Sequence, residues 1–416
     1  MRLIVMLTVA LSLGAIPSAF AATTITLSPD PDAQEKIQEA LLTIEPGGTI
    51  ELLPGRYDLT DQLSLDIANV TVRGAGKTGP NATVLSFASQ ASGSEGLIVT
   101  SNGVTLRDFA IEDTKGDAIK AKGVDRITFQ NVRVEWTGGP KETNGSYGLY
   151  PVEATNVLID GCEVSGASDA GIYVGQSDNI IVRNSVARFN VAGIEIENST
   201  HADVYGNLAT KNAGGILVFD LPNLPKQGGH SVRVFQNRSV QNDTQNFAPK
   251  GNIVGRVPTG TGILVMANRN VQIFDNEIAD NQTVGIFITS YTGEVQDEHY
   301  QPIPSAINIH DNRFGKTGWA PQGEIGELVA GLAGQPVPEI VWDGVVPISQ
   351  WFFGVPEESR IVLANNGEAR FVDLNAMVYF TVPWLHWVST DVSLHKGNLP
   401  AIEPVVMPQS TALATP

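Results

Sequence analysis

The sequence of 416 residues contains one cysteine, Cys162, so no disulfide can close within the chain. Its stability must come from a core, and 42% hydrophobic residues over this length supply one. Cys162 itself reads as a small buried apolar residue rather than a nucleophile. Histidine is also scarce. The six present show no metal-ligand spacing, and His201 and His230 read as turn residues at the start of repeats. Glycine-rich calcium repeats and phosphate loops are absent, so the residues call for no cofactor and offer calcium no motif. Basic residues are outnumbered, 26 against 44 acidic, for a net charge of −18. A surface of that sign repels phosphate backbones. The scattered Lys115, Lys120, Lys122 and Arg126 make no basic stripe, which argues against nucleic acid as a partner.

Long apolar runs are missing after the first residues. Arg2, the apolar stretch Leu3 to Ile16 and Pro17-Ser18-Ala19-Phe20-Ala21 have the parts of a secretory signal peptide cut after Ala21. The run is too short to span a bilayer. The expectation is an exported chain, periplasmic or extracellular, with residues 1–21 removed and no membrane span thereafter.

Crossover helices are missing as well, which excludes a doubly wound sheet or a β/α barrel. One short helical pattern, Ala33, Ile37, Ala40, Leu41 and Ile44, ends at Pro46-Gly47-Gly48. Two short strands follow, Thr49 to Leu53 and Arg56 to Leu59. A solenoid must cover its terminal coil against edge-to-edge association, and such a helix suits that task, so residues 22–62 are assigned as an N-terminal cap.

What the sequence does have is a repeat. Gly171-Ile172-Tyr173-Val174, Gly193-Ile194-Glu195-Ile196 and Gly215-Ile216-Leu217-Val218 recur every 22 residues, with Gly148-Leu149-Tyr150 upstream and Gly262-Ile263-Leu264-Val265 and Gly285-Ile286-Phe287-Ile288 downstream. A second element alternates with it: Phe129-Gln130-Asn131, Val182-Arg183-Asn184, Tyr205-Gly206-Asn207, Phe235-Gln236-Asn237, Phe274-Asp275-Asn276 and His310-Asp311-Asn312. Short β-branched strands separated by turn residues at this period predict an all-β fold, a right-handed parallel β-helix over residues 63–315. Equivalent positions stack about 4.8 Å apart, so about ten coils make a body roughly 50 Å long. The isoleucines should form interior columns, and the asparagines should take left-handed turns and bond to the next coil. Two excursions, Trp136 to Glu142 and Asn246 to Gly260, emerge as loops. Residues 316–416 are irregular, rich in proline, and hold five of the six tryptophans. So aromatic a segment is expected to fold back over the last coils or one sheet face.

The strings Tyr147-Gly148-Leu149-Tyr150-Pro151-Val152, Asp169 to Ser177, Gly193 to Ser199, Gly215 to Pro222, Asn246-Phe247-Ala248-Pro249 and Gly260 to Ala267 resemble those of a family of exported bacterial parallel β-helix repeat proteins. The resemblance implies that fold and no particular activity. Family members are often encoded beside a second exported protein, which implies a protein partner. More broadly the repeats resemble those of carbohydrate-binding proteins and sugar hydrolases. Enzyme signatures of this fold are nevertheless absent. The Asn-Thr-Asp, Asp-Asp, Gly-His-Gly and Arg-Ile-Lys set of polygalacturonases does not occur. Asp30-Pro31-Asp32 is not the Asp-Pro-His-Asp of mannuronan epimerases, and Asp169, Asp178 and Arg183 only weakly imitate a pectate-lyase site.

In Gly-Ile-x-Ile-x the isoleucines point inward and the intervening residues outward. Two outward columns result: Tyr150, Tyr173, Glu195, Leu217, Leu264, Phe287, and Val152, Gly175, Glu197, Phe219, Met266, Thr289. Rings beside acids are what a sugar site uses. Glu195, Glu197 and Asp220 are therefore the candidate catalytic acids, and Tyr150, Tyr173 and Phe219 the candidate substrate-binding residues. Glu195 and Glu197 have Cα atoms about 6.6 Å apart. Side-chain rotation can bring their carboxyls to either glycosidase separation, and their mutual repulsion should leave one protonated. The same face could instead be a docking surface for the aromatic tail. Docking requires Phe219 and Phe287 to be buried by tail residues; sugar binding requires Tyr173 and Glu195 to line an open groove. The reading adopted is a β-helix that binds or remodels an envelope or extracellular polysaccharide. If the chain is an enzyme, it is a hydrolase, lyase or epimerase. The alternative is a non-catalytic scaffold holding an exported partner protein.

Overall fold

The computed structural model describes residues 23–408, so the expected signal peptide lies outside the described residues. The described chain winds into three parallel sheets of 12, 10 and 11 strands. The first sheet runs from Thr24–Leu27 to Ile361–Ala364, the second from Gly55–Asp58 to Arg313–Phe314, and the third from Leu63–Leu65 to Phe371–Asp373. Every pairing between strands is parallel, as a coil stacked on its neighbour requires, and the fold is the right-handed parallel β-helix that the repeat predicts.

Ile172, Ile194 and Ile216 are register partners in the third sheet, and the column continues through Ile263 and Ile286. All five are fully buried. Each such side chain stabilises the fold by about 1.5–3 kcal/mol through removal from water. The glycine preceding them has a steric cause. A Cβ on Gly193, Gly215 or Gly262 would lie 2.4–2.5 Å from the next coil's carbonyl oxygen, so only glycine permits that approach.

The asparagines divide into two positions with separate tasks. Asn131 and Asn184 take φ of 53° and 51°, and the equivalent left-handed place falls to Gly206, Gln236, Asp275 and Asp311 in later coils. The residue after it turns inward. There Asn207, Asn237, Asn276 and Asn312 form a buried ladder in which each Oδ1 accepts the preceding coil's backbone N–H at 2.9–3.1 Å. Ser185 and Cys162 occupy the same column earlier in the chain, where the Cys162 N–H donates to Ser185 Oγ at 3.1 Å and Ser185 N–H to Asn207 Oδ1 at 2.9 Å. Cys162 is buried, and burial pushes its thiol up to about 12, so it is a packing residue as expected.

The ends of the solenoid depart from the expected boundaries. The segment assigned as cap supplies strands of its own: Thr24–Leu27 and Thr49–Leu52 open the first sheet and Gly55–Asp58 opens the second. Between the first two lies helix α1, Ala33–Thr43, burying Ala33, Ile37, Ala40 and Leu41. Nor do the coils stop at 315. Ile340–Trp342, Ile361–Ala364 and Phe371–Asp373 extend the sheets, and helix α2, Gly323–Ala333, lies between coils. The repeat is hidden in sequence there because long insertions separate these strands.

The last residues do turn back. Pro400 O accepts from Gln272 Nε2 at 3.1 Å, Val405 N–H donates to Asp203 Oδ2 at 3.1 Å, and Val406 O accepts from Asn179 Nδ2 at 3.2 Å. The chain thus retraces several coils along the first sheet. The segment's tryptophans do not all share in that covering: Trp342 is buried, whereas Trp351 and Trp384 are exposed on short helical turns and Trp387 is exposed in the chain that follows. Among the described residues no helix is long and apolar enough to cross a membrane.

Candidate functional site

Both outward columns have the register that the repeat predicts. Tyr150, Tyr173, Glu195, Leu217, Leu264 and Phe287 are neighbours in successive coils, as are Gly175, Glu197, Phe219, Met266 and Thr289. The face they form is not open. Three insertions cover it, and their apolar residues pack with the column: Leu221 and Leu224, Ile253 and Val254, and Tyr291. Helix α2 adds Ile325 and Val329, which cluster with Leu264, Val284 and Phe287. Neither sequence reading holds alone. The tail contributes to covering the downstream part of the column, and upstream the insertions enclose a cavity of about 500 Å³.

Asp169, Glu195, Glu197, Ser146, Tyr147 and Phe219 lie in the cavity wall on the sheet side. Asn223, Leu224, Asn252, Ile253 and Tyr291 close it from the insertions. Glu195 is only 3% exposed, and its Oε2 is buried without a hydrogen-bond partner. The Glu195 and Glu197 carboxyls are neighbours in this wall and titrate as one dyad, each shifting the other. Burial, followed by the charges of Asp169 and Glu197, raises Glu195 well above the usual carboxylate range. Glu197 is raised by burial too, although the Tyr173 hydroxyl, donating to its Oε1 at 2.7 Å, opposes the shift. Burial and the Glu197 charge lift Asp169 to about 7, against hydrogen bonds from Tyr147 at 3.4 Å and Asn252 at 3.3 Å.

The remaining candidates sit elsewhere. Asp220 does not line the cavity: its Oδ1 accepts from Gly229 N–H at 2.8 Å and its Oδ2 from Gly228 N–H at 3.2 Å, which closes the loop after Phe219. Burial brings it to about 6, and its charge still raises Glu197. The Tyr300 hydroxyl donates to its carbonyl oxygen, tying a second insertion to the same point. Tyr150 and Tyr173 lie behind the cavity wall, their rings packed with Tyr147 at 4.5 and 4.4 Å. Tyr173 supports the dyad through its bond to Glu197, and Tyr150 packs on Tyr173. Of the expected binding residues only Phe219 lines it.

Two lining residues, Asp169 and Tyr147, belong to sequence strings already singled out but not to the two columns considered. Tyr147 heads a third outward column, followed by Ala170, Ala192 and Gly214. Those small residues beside a tyrosine and an aspartate are the signal that a cavity opens there.

Gly175 has a specific task in this wall. A Cβ at this position would lie 2.3–2.6 Å from the hydroxyl and ring of Tyr173, which crosses it to reach Glu197. Because Tyr173 is buried it cannot swing aside. Gly175→Ala should therefore destabilise the protein by about 1–3 kcal/mol through overpacking, measured by urea unfolding. An unchanged midpoint would mean that the ring has room to spare.

Residues 64–224 match the family model described as a right-handed beta helix region. No curated protein shows significant sequence similarity to the chain. Solved structures resemble it in three dimensions. A polygalacturonase from Erwinia carotovora ssp. carotovora has a TM-score of 0.51 at 12% identity, over 77% of this chain and 91% of its own. The A-module of a mannuronan C-5 epimerase from Azotobacter vinelandii has a TM-score of 0.49 at 16% identity, covering 80% and 90%. An alginate lyase from Paenibacillus sp. has 0.46 at 15%, covering 71% and 97%. At such identities the likeness concerns the fold. The polygalacturonase likeness agrees with the three sheets and the stacked interior columns: the fold is a right-handed parallel β-helix.

Proposed function

We propose that the cavity under the insertions binds a carbohydrate and that the Glu195–Glu197 dyad presents a proton to a sugar oxygen. The observation that carries this reading is the Glu195 carboxyl, a cavity-lining group only 3% exposed, with one of its oxygens left without a hydrogen-bond partner. A buried polar atom left unsatisfied is costly, and a bound hydroxyl relieves that cost. The surroundings suit a sugar ring. Phe219 and Tyr147 give aromatic surface, while Asn223, Asn252 and Ser146 give hydrogen bonds. A volume of about 500 Å³ falls within the range of small-ligand sites. Burial raises both acids of the dyad, which favours the protonated form that a general acid needs. Export to the periplasm or the exterior, where envelope and extracellular polysaccharides occur, belongs to the same proposal and rests on the N-terminal segment.

Glu195→Gln/Glu197→Gln keeps the shape of the dyad and removes its titrating protons. The double variant should weaken oligosaccharide binding by about tenfold or more, as expected for losing a charge-assisted hydrogen bond, in a calorimetric screen of neutral, amino and acidic oligosaccharides. Unchanged affinity, with the fold intact by circular dichroism, would contradict the reading.

A further inference from the structure

Three carboxyls line the cavity, from Asp169, Glu195 and Glu197, and no lysine or arginine lines it with them. The nearby cations are engaged elsewhere. Lys120 Nζ lies 3.2 Å from Glu95 and over the Tyr150 ring, and Lys226 Nζ donates to Ser177 O at 2.9 Å. Arg269 reaches Gly228 O at 3.4 Å, and Lys250 and Arg256 line the adjoining space that shares Asn252, Ile253 and Tyr291 with this cavity. Resting on the sugar-binding reading above, we propose that this cavity selects a sugar bearing a free protonated amine and rejects one bearing a carboxylate.

The argument is electrostatic. Beside buried carboxyls the interaction of a ligand charge with its neighbours is screened less than in bulk water, so the chemistry of the wall selects the sign of the ligand. An ammonium group brings three donors and a positive charge. One donor can meet the Glu195 carboxyl, which lines the cavity, and the charge offsets the repulsion that otherwise keeps these acids from ionising together. A uronate adds a further acid to a wall whose acids already repel one another, with no cation to receive it. An N-acetylated amine supplies a single neutral donor. A metal ion is a poorer fit, since among the described residues no group of three or more His, Cys, Asp or Glu is placed to hold one. Entry of the ammonium should expel a proton from the acid cluster, because a cation favours the ionised form of each carboxyl.

Isothermal titration of the protein with tetramers of β-1,4-glucosamine, β-1,4-N-acetylglucosamine and α-1,4-galacturonate tests this, at a pH near 6 where the amine is charged and in two buffers of different ionisation enthalpy. The glucosamine tetramer should bind about tenfold or more tighter than its N-acetylated counterpart, with net proton release, and the galacturonate should not bind. Glu195→Gln should bring the two neutral-to-cationic ligands to within about twofold of each other. Equal or tighter binding of the N-acetylated or acidic tetramer overturns the amine preference and leaves the sugar-binding reading standing. A preference that survives Glu195→Gln overturns the assignment to this cavity, and competition by calcium alone assigns the acids to a metal. If none of the three binds, both readings fall.

Discussion

Asn237→Ala is expected to cost about 3–5 kcal/mol of stability, a large effect for a single polar side chain. Asn237 Oδ1 accepts from the backbone N–H and the Nδ2 of Asn207, each at 3.0 Å, and its Nδ2 donates to Val204 O at 2.8 Å and Asn276 Oδ1 at 3.1 Å. The residue is 1% exposed, so water does not replace these bonds. Truncation leaves the Asn207 donors and the Val204 carbonyl buried and unpaired, and each such group costs about 1–3 kcal/mol. Asn184→Ala, at the left-handed position, should cost only about 1 kcal/mol of backbone strain, and Asn184→Gly should recover most of it. Urea unfolding of the three variants separates the two kinds of asparagine. Equal losses at 184 and 237 would mean that the ladder contributes little.

Raising the pH from about 5 to about 8 should lower the melting temperature by roughly 5 °C, a direction opposite to ordinary acid denaturation. Burial raises Asp169 to about 7 and Asp117, Asp220, Asp343 and Asp373 to about 6, and lifts Glu195 and Glu197 as well. Unfolded, the same groups titrate near about 4. A group raised in the folded state contributes its full stability below the unfolded value and loses it as pH climbs through the folded one. The window is therefore about pH 4 to 7 and beyond for the dyad. His230 and His395 are lowered by burial and act in the opposite sense, gaining stability as pH rises through about 6.5. Two histidines do not outweigh seven carboxyls. Replacing Asp169, Glu195 and Glu197 together by their amides should flatten the dependence. A melting temperature that rises steadily from pH 5 to 8 would show that these acids ionise freely in the folded protein.

The solenoid was legible in sequence because its cause is periodic. Ile172, Ile194 and Ile216 repeat every coil, and the parity of a strand then fixes which neighbours face out, so Tyr173, Glu195 and Leu217 could be placed in one column. What periodicity cannot report is what lies over a column. The insertions around Leu221, Ile253 and Tyr291 have no repeat to place them, yet they turn an open face into a cavity, send Tyr150 and Tyr173 behind its wall and take Asp220 for loop closure. Asp169 and Tyr147 were missed because only the two columns beside the isoleucines were followed. The strands at Ile340 and Phe371 were missed because long excursions interrupt the period before them.

The account depends on buried acids that keep protons at neutral pH in the wall of that cavity. Infrared difference spectroscopy of the protonated carboxyl C=O stretch, followed from acid to alkaline pH in the wild type and in Glu195→Gln/Glu197→Gln, measures this directly. A protonated-carboxyl band that persists through neutral pH in the wild type and is diminished in the double variant is the expected result. Its complete loss by about pH 5 in the wild type, as for carboxyls in water, would contradict it.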